Sequence, residues 1–467
     1  MLLRDVSNLQ VNPLTASNRF QPKRGEPLPF FHFIMRLSRY IKIYPYAEKP
    51  GHFLLYSTRQ SSVALLNEDT LKAAQEGTLS PASRETLHRL GFLIPHGHDE
   101  RREMLALFDR ADHGRPFNAV LVLNLDCNLD CTYCFEGGMK GNRYMTRETA
   151  DLFIDFAEKN YLAEGKSVEL DFYGGEPLLS VDLIRYVSGR LKPLVENRGG
   201  EYTFNLVTNG TLLTGELARE LAPLGLRRAK VTIDGPQEIH DAFRPFVSGA
   251  GSFDAIVRNV KAVCDVIGIQ FTGNYTRENY QEFPRLLDHI LAEGITPDKL
   301  AMVMFAPVTG TMAEYGLPEY REGCDSTEEP WLIEASLFLR QEILKRGFYT
   351  PKMRPSSCMV EFSDNIIVGF DGTIYKCPAF IGRKEFAVGD LHTGIRDYHD
   401  SHKMDLWKND ECLDCAYLPI CFGGCRFLKL LRDGAIDGVD CRKDYLDAAL
   451  ESYILQDLKL RTTAEKP

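Results

Sequence analysis

Three closely spaced cysteines are the residues best suited to chemistry in this chain of 467 residues. Cys127, Cys131 and Cys134 have the spacing C-x-x-x-C-x-x-C, and they directly follow the apolar run 119–126. Structural metal sites normally complete their coordination with protein ligands. Three thiolates on one tight loop therefore suit a four-iron, four-sulfur cluster in which the fourth iron lacks a protein ligand and can bind a small molecule.

A glycine-rich loop after the next apolar run supports this interpretation. It reads Gly174-Gly175-Glu176-Pro177, in which two glycines let the backbone approach a ligand and a carboxylate can accept from an ammonium group. A turn before a helix, with Pro177 at the first helical position, is the structural alternative. Together with the cysteine spacing, the loop resembles the signature of the radical S-adenosylmethionine (SAM) enzymes. The resemblance implies that SAM binds the open iron and that Gly174, Gly175 and Glu176 contact its amino group.

The resemblance also assigns three residues to the nucleoside part of SAM. Tyr133 lies between the second and third cysteines, where the family usually has an aromatic residue that shields the cluster and lies near the adenine. A surface tyrosine is the alternative. Thr208 and Asn209 end the third predicted strand and would meet the ribose, or they form a cap and a turn.

The segment 231–244 resembles a stretch found after the fourth strand in peptide-modifying members of the family. By this resemblance Thr232 would touch SAM, and Arg244 would bind the SAM carboxylate with its planar guanidinium. His240 lies in the same segment and is interpreted either as a general base or, as is usual for a lone histidine in a loop, as a structural residue. The sequence therefore assigns no catalytic residue.

Seven of the twelve cysteines lie between Cys358 and Cys441, whereas none precedes Cys127. A zinc ribbon is one interpretation of such paired cysteines. Their order instead resembles the SPASM domain, which carries two auxiliary iron–sulfur clusters. The resemblance implies an outer cluster bound by Cys412, Cys415, Cys421 and Cys441, and an inner cluster bound by Cys358, Cys377 and Cys425.

The inner cluster would be one cysteine short in this chain. Fully ligated members of the family have another cysteine shortly after the first, and the stretch 359–370 contains none. Cys324, an oxygen ligand such as Asp364, or an open iron would complete the set. Our hypothesis is an open site that takes a thiolate of the substrate. The isolated Cys264 lies on the apolar face of a helical pattern and is predicted to belong to the core.

Alternating apolar strands and helical patterns predict an α/β fold with a partial (β/α)6 TIM-like barrel over residues 113–347. The distinctive residues follow the first four strands, at the carboxyl ends where such sheets bind ligands. Predicted strands cover 119–126, 168–174, 202–208, 229–234, 268–274 and 299–305, and predicted helices cover about 146–161, 181–195, 214–223, 253–266 and 280–293.

Smaller regions flank this barrel. Residues 1–112 are predicted to form a winged-helix-like α+β module, with a hairpin at about 52–67 and helices at about 68–76, 80–90 and 99–111. Many peptide maturases use such a module to bind the precursor peptide as an added strand. A structural cap on the barrel is the alternative. Residues 348–467 are expected to form the cysteine-rich iron–sulfur (SPASM) domain.

Composition excludes several classes of function. A net charge of −10 without any run of Lys or Arg argues against nucleic acid as a partner. Nothing near Met1 resembles a signal peptide, and no apolar run is long enough to span a bilayer, so a cytoplasmic location without a membrane partner is expected. Clustered cysteines in such a chain bind metals more often than they form disulfides.

These features resemble the radical SAM/SPASM peptide maturases, and the runs 54–67 and 122–137 are most similar to the geopeptide maturases. The resemblance implies SAM and three [4Fe–4S] clusters as cofactors, a ribosomally made precursor peptide as substrate, and ferredoxin or flavodoxin as electron donor. A 5′-deoxyadenosyl radical would abstract hydrogen, and a thioether from a peptide cysteine would form. Sulfatase maturases have aspartate where this chain has Pro378, which disfavours that alternative. A non-catalytic electron carrier is the second alternative.

Overall fold

A small α+β module begins the part of the chain that the structure describes. The computed structural model describes residues 34–113, 115–134, 136–162, 165–309 and 329–461. The first elements, in chain order, are β1 (Met35–Leu37), β2 (Ile41–Pro45), β3 (His52–Ser57), β4 (Val63–Asn67), α1 (Glu68–Glu76), α2 (Pro81–Arg89), β5 (Leu93–Pro95) and α3 (Glu100–His113). Strands β2, β3 and β4 form one antiparallel sheet, and β1 pairs with β5.

Local sequence signals explain these elements. The predicted hairpin is confirmed, because Leu54 of β3 lies opposite Leu65 of β4. Helix α1 has the predicted ends: the Asn67 side chain accepts from the backbone N–H of Thr70, and Gly77 follows the last turn with φ of +73°. Strands β1 and β2 were not predicted from the sequence.

The central region alternates strands and helices. Its elements are β6 (Phe117–Val122), α4 (Arg147–Tyr161), β7 (Val168–Tyr173), α5 (Val181–Glu196), β8 (Tyr202–Thr208), α6 (Gly215–Leu221), β9 (Leu226–Thr232), α7 (Gln237–Phe243), α8 (Phe253–Val263), β10 (Gly268–Tyr275), α9 (Phe283–Ala292), β11 (Leu300–Pro307) and α10 (Pro330–Lys345). Strands β6 to β11 are parallel and adjacent in chain order. The α/β fold with a sheet of parallel strands, consistent with a partial barrel, is confirmed.

Some boundaries differ from the prediction. Strand β6 ends at Val122 instead of residue 126, because the chain leaves the sheet there to form the cysteine loop. Strand β9 covers Leu226–Thr232 instead of 229–234. Helix α7 was not predicted, since its seven residues are too few for a clear helical pattern.

The cysteine-rich region extends the same sheet. Its elements are β12 (Asn365–Val368), β13 (Thr373–Tyr375), β14 (Gly389–Asp390), β15 (Gly394–Ile395), α11 (Asp410–Asp414), α12 (Leu418–Cys421), α13 (Arg426–Asp433) and α14 (Lys443–Leu460). Strand β12 pairs in parallel with β6, so the expected six strands become ten among the described residues. The sequence did not indicate β12, because its run of four residues is short, although all four are buried.

The two faces of the parallel sheet differ in chemistry. The face under the helices is apolar and includes Phe172 and Phe204, both fully buried. The opposite face carries polar side chains: Asn205 donates to Asp171 over 2.9 Å, and the charge of Lys230 lies near Asp171. Burial raises the pKa of Asp171 and lowers that of Lys230. The inside of the partial barrel is therefore a polar space.

The N-terminal sheet packs on the C-terminal helix. Leu54 and Tyr56 of β3 lie in one apolar cluster with Leu446 and Leu450 of α14. The other face of β3 packs on α1 and α2 through Leu55. The alternation of β3 thus divides its side chains between two cores.

Membrane insertion was also considered. In the ranges that the structure describes, no helix combines the length and the apolar character that crossing a bilayer requires.

Candidate active site

The loop with the first three cysteines is anchored at the carboxyl ends of β6 and β7. The backbone N–H of Gly175 donates to the carbonyl of Asn124 over 3.1 Å, and that of Glu176 donates to Asp126 over 2.8 Å. A Cβ atom on Gly174 would lie 2.4 Å from the carbonyl oxygen of Asn124, and one on Gly175 would lie 2.3 Å from that of Asp126. Glycine is therefore required here for close contact between the two loops.

The three cysteines lie close together. Cys131 is buried, and its thiolate charge acts on both Cys127 and Cys134. Burial raises the pKa of Cys127 to about 11 and that of Cys134 to about 12. The Lys140 ammonium lies near all three sulfurs, where it favours their thiolate forms. Metal binding at this loop would release protons.

The segment after α7 holds the cysteine loop from the other side. The N–H of Asp130 donates to the carbonyl of Pro245 over 2.8 Å, and the N–H of Thr132 donates to that of Phe243 over 3.0 Å. These bonds satisfy backbone groups that the loop itself leaves unpaired. These bonds therefore fix the conformation of the loop from both sides.

Glu176 connects the glycine loop to the end of β8. Its fully buried carboxylate accepts from the Thr208 hydroxyl over 2.8 Å, from the N–H of Asn209 over 2.8 Å and from the N–H of Leu178 over 3.0 Å. Burial raises the pKa of Glu176, and the three donors oppose that shift. A carboxylate has about four acceptor positions, so three protein donors leave about one for a ligand.

Asn209 connects β8 to the cysteine loop. Its amide donates to the side-chain oxygen of Asn128 over 2.8 Å and lies 3.8 Å from the sulfur of Cys127. Its own side-chain oxygen accepts from the N–H of Thr211 over 2.9 Å. Thr208 and Asn209 thus form a turn through side-chain-to-backbone hydrogen bonds, next to Cys127, whereas the cap of the following helix is Thr214.

Tyr133 lies at the centre of a network of polar side chains. Its hydroxyl donates to Asp234 and accepts from Arg244 over 2.8 Å and from Asn274 over 3.0 Å. Of these residues, the sequence analysis missed Asp234 and Asn274 as part of the site. A signal existed for Asn274, because the polar residues 270, 272 and 274 alternate along β10 and share its inner face.

Thr232 lies at the end of β9, on the inner face of the sheet. Its hydroxyl is 3.1 Å from that of Thr272 on β10. The Thr272 hydroxyl also bonds to the carbonyl of Val231 over 3.2 Å. Thr232 therefore joins two neighbouring strands beside the network around Tyr133.

His240 is a buried structural residue. Its Nδ1 accepts from the N–H of Asp234 over 3.1 Å, and its Nε2 is 2.9 Å from the hydroxyl of Ser252. Since Ser252 donates to the carbonyl of Arg244 over 2.7 Å, the proton of His240 is assigned to Nε2. Burial and the charge of Arg244 hold the pKa of His240 well below its usual value. Both ring nitrogens are thus engaged, which favours the structural interpretation over a general base.

Comparison with known proteins agrees with this geometry. The family model described as the radical SAM superfamily matches residues 121–290, which hold the cysteine loop, the glycine loop and the network around Tyr133. The chain contains a radical SAM domain. The domain over 121–290 covers the strands from the end of β6 to β10.

Several known proteins resemble this chain over longer stretches. A "Probable GTP 3′,8-cyclase" of Saccharolobus islandicus is 27% identical over 252 residues, which cover 53% of this chain and 74% of that protein. A PqqA peptide cyclase of Granulibacter bethesdensis is 23% identical over 346 residues, covering 70% of this chain and 86% of that protein. The structure of anSMEcpe with bound AdoMet and Cp18Cys peptide has a TM-score of 0.57 and 18% identity, covering 73% of this chain and 98% of that one. The last likeness shows a shared fold.

The cysteines beyond the radical SAM domain fall into two groups. Burial, together with the nearby sulfurs of Cys358 and Cys425, raises the pKa of Cys377 to about 12, so these three residues lie close to one another. They are the three residues that the resemblance to the SPASM domain implies for the inner cluster. In the other group, Cys412 interacts with Cys415, Cys421 and Cys441.

The remaining candidate ligands differ in position. Asp364 forms an ion pair with Lys166, so its carboxylate is engaged outside the inner group. Cys324 lies outside the described residues. Cys264 is buried at the end of α8 in the main core, as the helical pattern predicted.

Thiolates are the usual protein ligands of iron–sulfur clusters, and all ten cysteines of the candidate sets are free thiols in the described ranges. Within the described ranges, no three Cys, His, Asp or Glu side chains converge as a mononuclear site would require. Cysteines that hold a [4Fe–4S] cluster bind different irons and so stand further apart than the ligands of one zinc ion.

Arg244 fits the carboxylate of SAM. Its Nε atom is buried and has no hydrogen-bond partner among the described residues. An unpaired buried donor on a cation costs free energy that an acceptor on a ligand can recover.

Proposed function

We propose that this radical SAM enzyme cross-links a ribosomally made precursor peptide by joining a peptide cysteine to carbon in a thioether. Relatives support a peptide substrate: one is a PqqA peptide cyclase, and the anSMEcpe structure contains a peptide. The match to the GTP cyclase covers only about half of this chain, whereas the match to the peptide cyclase covers 70%.

The position of the inner cysteine group carries this proposal. One apolar cluster contains Cys377 together with Leu125 and Met139, which flank the first three cysteines. It also contains Tyr173, at the end of β7 on the polar inner face. A peptide at this end of the barrel would therefore contact both the SAM site and the inner group.

We assign the first cluster to Cys127, Cys131 and Cys134. When bound there, the cluster and SAM supply the 5′-deoxyadenosyl radical that abstracts hydrogen. We assign the SAM amino group to the loop of Gly174, Gly175 and Glu176. The proposed contacts for the rest of SAM are Tyr133, Thr208, Asn209, Thr232 and Arg244, which surround this end of the sheet.

We assign two auxiliary [4Fe–4S] clusters to the SPASM region at 348–467. The outer set of Cys412, Cys415, Cys421 and Cys441 has four cysteines and is complete. The inner set has three, which leaves one ligand position for a cysteine of the peptide. Pro378 follows Cys377 and supplies no base, so the inner set differs from that expected for sulfatase maturation.

We further propose that residues 1–112 recognise the precursor, and that 113–347 form the catalytic barrel. In the described part of the module, β2 and β4 each pair with β3 alone, so each offers an edge for an added strand. The packing of β3 on α14 supports a second, structural role of the module. In that role the module packs on the C-terminal region, whereas the sequence alternative was a cap on the barrel. Ferredoxin or flavodoxin in the cytoplasm would supply electrons.

Co-expression with a small peptide that contains cysteine tests this function. After anaerobic expression, mass spectrometry should find the loss of two hydrogens per cross-link, and blocking reagents should no longer reach the peptide thiol. A peptide with Cys replaced by Ser is the control. An unchanged mass while SAM is cleaved would contradict the cross-link, and a new aldehyde would support the sulfatase-maturase alternative.

Single cysteine substitutions test the ligand sets. Cys358→Ala and Cys377→Ala should each remove the iron of the inner cluster and leave the other two clusters, as measured by iron content and electron paramagnetic resonance. Cys264→Ala is the matched control and should retain all iron, because Cys264 lies in the core. If Cys324→Ala also collapses the inner cluster, the open ligand position is refuted.

A further inference from the structure

Four side chains from four separate segments meet beside the cysteine loop. Tyr133 comes from the loop itself, Asp234 from the turn after β9, Arg244 from the end of α7 and Asn274 from β10. Asp234 accepts from the Tyr133 hydroxyl and, over 2.6 Å, from the N–H of Asn274. Its Oδ2 lies 3.6 Å from Nη1 of Arg244. The carboxylate of Asp234 thus connects the cysteine loop to the end of α7 and to β10.

The carboxylate of Asp234 is buried together with the guanidinium of Arg244. Asp234 is 1% exposed and Arg244 is 9% exposed, so both charges are removed from water. A buried charge is tolerated when it is paired and hydrogen-bonded. Each oxygen of Asp234 has a donor, and Nη1 of Arg244 donates to Tyr133 over 2.8 Å. In the described part of the chain, Nε of Arg244 is buried without such a partner.

We propose that Asp234 is a positioning residue that fixes the Tyr133 ring in the geometry that meets the nucleoside part of SAM and the Arg244 guanidinium in the geometry that binds the SAM carboxylate. The inference rests on the proposed roles of Tyr133 and Arg244, and adds Asp234 and Asn274 as the residues on which those roles depend. Asp234 acts through its neighbours and does not itself contact the cofactor.

The backbone around Asp234 is fixed in the same way. His240 accepts from the N–H of Asp234 and contacts Ser252, and Ser252 holds the carbonyl of Arg244. Asp234 and Arg244 are therefore tied through their main chains as well as their side chains. Because the main chain is held separately, we expect a change in one carboxylate oxygen of Asp234 to shift the guanidinium of Arg244 and to leave the segment folded.

The test is SAM binding by variants that keep the cluster. Asp234→Asn keeps the shape of the side chain but replaces one acceptor oxygen with a donor. Tyr133→Phe keeps the ring and removes the hydroxyl, which serves if the first variant fails to fold. Asp254→Asn is the matched control, because Asp254 is exposed on α8 and its carboxylate accepts from Gln237, which among the described residues forms no hydrogen bond with Tyr133, Asp234, Arg244 or Asn274. Anaerobic equilibrium binding gives the SAM dissociation constant, and electron paramagnetic resonance reports how SAM perturbs the reduced cluster.

Asp234→Asn should keep the iron of the first cluster, weaken SAM binding at least tenfold and alter the spectral change that SAM produces. Tyr133→Phe should act in the same direction, and the double variant should be little worse than the worse single variant, because both changes break one network. SAM affinity within twofold of the wild type in Asp234→Asn, with the cluster intact, would overturn the inference alone. Failure of the wild-type protein to bind SAM would overturn both the inference and the assigned SAM site.

Discussion

At the scale of single residues, most polar side chains around the cysteine loop are bonded to one another. Glu176 accepts from three donors, and Thr208 and Asn209 supply two of them. His240 uses both ring nitrogens within the protein. These bonds hold the loops in place at the end of the sheet.

Glu176→Gln tests how much this order depends on one carboxylate. The glutamine has a single acceptor oxygen, so at least one of the buried donors from Leu178, Thr208 or Asn209 loses its partner. The free energy of unfolding should fall by about 1–3 kcal/mol, seen as a lower melting temperature under anaerobic conditions. Glu278→Gln, at an exposed position, should change the melting temperature little. Equal melting of both variants would contradict the structural role of Glu176.

His402 gives a prediction about pH. It is fully buried, and burial together with Arg426, Lys376 and Arg396 lowers its pKa from 6.5 to about 4. Because the unfolded chain takes up a proton near pH 6.5 and the folded protein does not, stability should fall as the pH drops from about 6.5 to 4, by of order 3 kcal/mol.

His402→Leu should remove that part of the pH dependence. Nε2 of His402 has no partner in the described residues, so an apolar replacement leaves few hydrogen bonds unmade. Between pH 7 and pH 4 the melting temperature of the variant should fall less than that of the wild type, because only the wild type carries the low-pKa histidine. His392→Gln, at an exposed position, should keep the wild-type profile. Parallel curves for His402→Leu would refute the assignment.

At the scale of elements, the site is built where strands end and loops cross. Each of β6 to β9 is followed by a loop that contributes to the site, and the loops after β6 and β7 contact each other through bare backbone. The inner face of β10 adds Thr272 and Asn274. The parallel arrangement brings these distant segments to one edge.

Gly174→Ala tests the contact between loops. Gly174 has φ of +148°, and a Cβ atom would lie 2.4 Å from a backbone oxygen, so the substitution should cost about 3 kcal/mol and reduce cluster loading. Gly189→Ala is the control within helix α5, where a Cβ would meet nothing within 4 Å. That change should stabilise the protein by about 0.5–1 kcal/mol. Normal iron content in Gly174→Ala would contradict the close approach.

At the scale of the whole molecule, the N-terminal module packs against the turn that carries Cys412 and Cys415. The Tyr40 hydroxyl donates to the carbonyl of Leu413 over 2.8 Å, and the Thr58 hydroxyl donates to that of Ala416 over 2.6 Å. The module therefore contributes to the position of two proposed ligands of the outer cluster, although it lies some 350 residues earlier in the chain.

Tyr40→Phe should therefore affect the outer cluster. Loss of the buried hydroxyl leaves the Leu413 carbonyl without that donor and should lower stability by about 1 kcal/mol. Iron analysis should show reduced loading of the outer site, while the first cluster remains. Tyr46→Phe is the control, because the Tyr46 hydroxyl bonds to Glu48, outside the cysteine turn. Unchanged iron in Tyr40→Phe would show that the module does not support the outer site.

Much of the fold follows from local patterns. The ends of α1, the hairpin of β3 and β4, and five of the helices between β6 and β11 lie within a few residues of the predictions. Capping residues, glycines after helices and strand alternation act over a few residues, so the sequence displays them directly. The division of the C-terminal cysteines into two groups came from the resemblance to the SPASM domain, since Cys425 of one set lies between Cys421 and Cys441 of the other.

By itself, the sequence determined which residue types stand together in the chain: the three cysteines, the Gly-Gly-Glu-Pro loop and the apolar runs that become strands. Only the tertiary structure decided that Tyr133 meets Asn274, which is 141 residues away, and that β12 completes the sheet beside β6. It also decided that the carboxylate of Glu176 accepts three hydrogen bonds from the protein itself. Hydrogen bonds between distant segments have no period along the chain, so they become visible only when the sheet brings its strand ends to one edge.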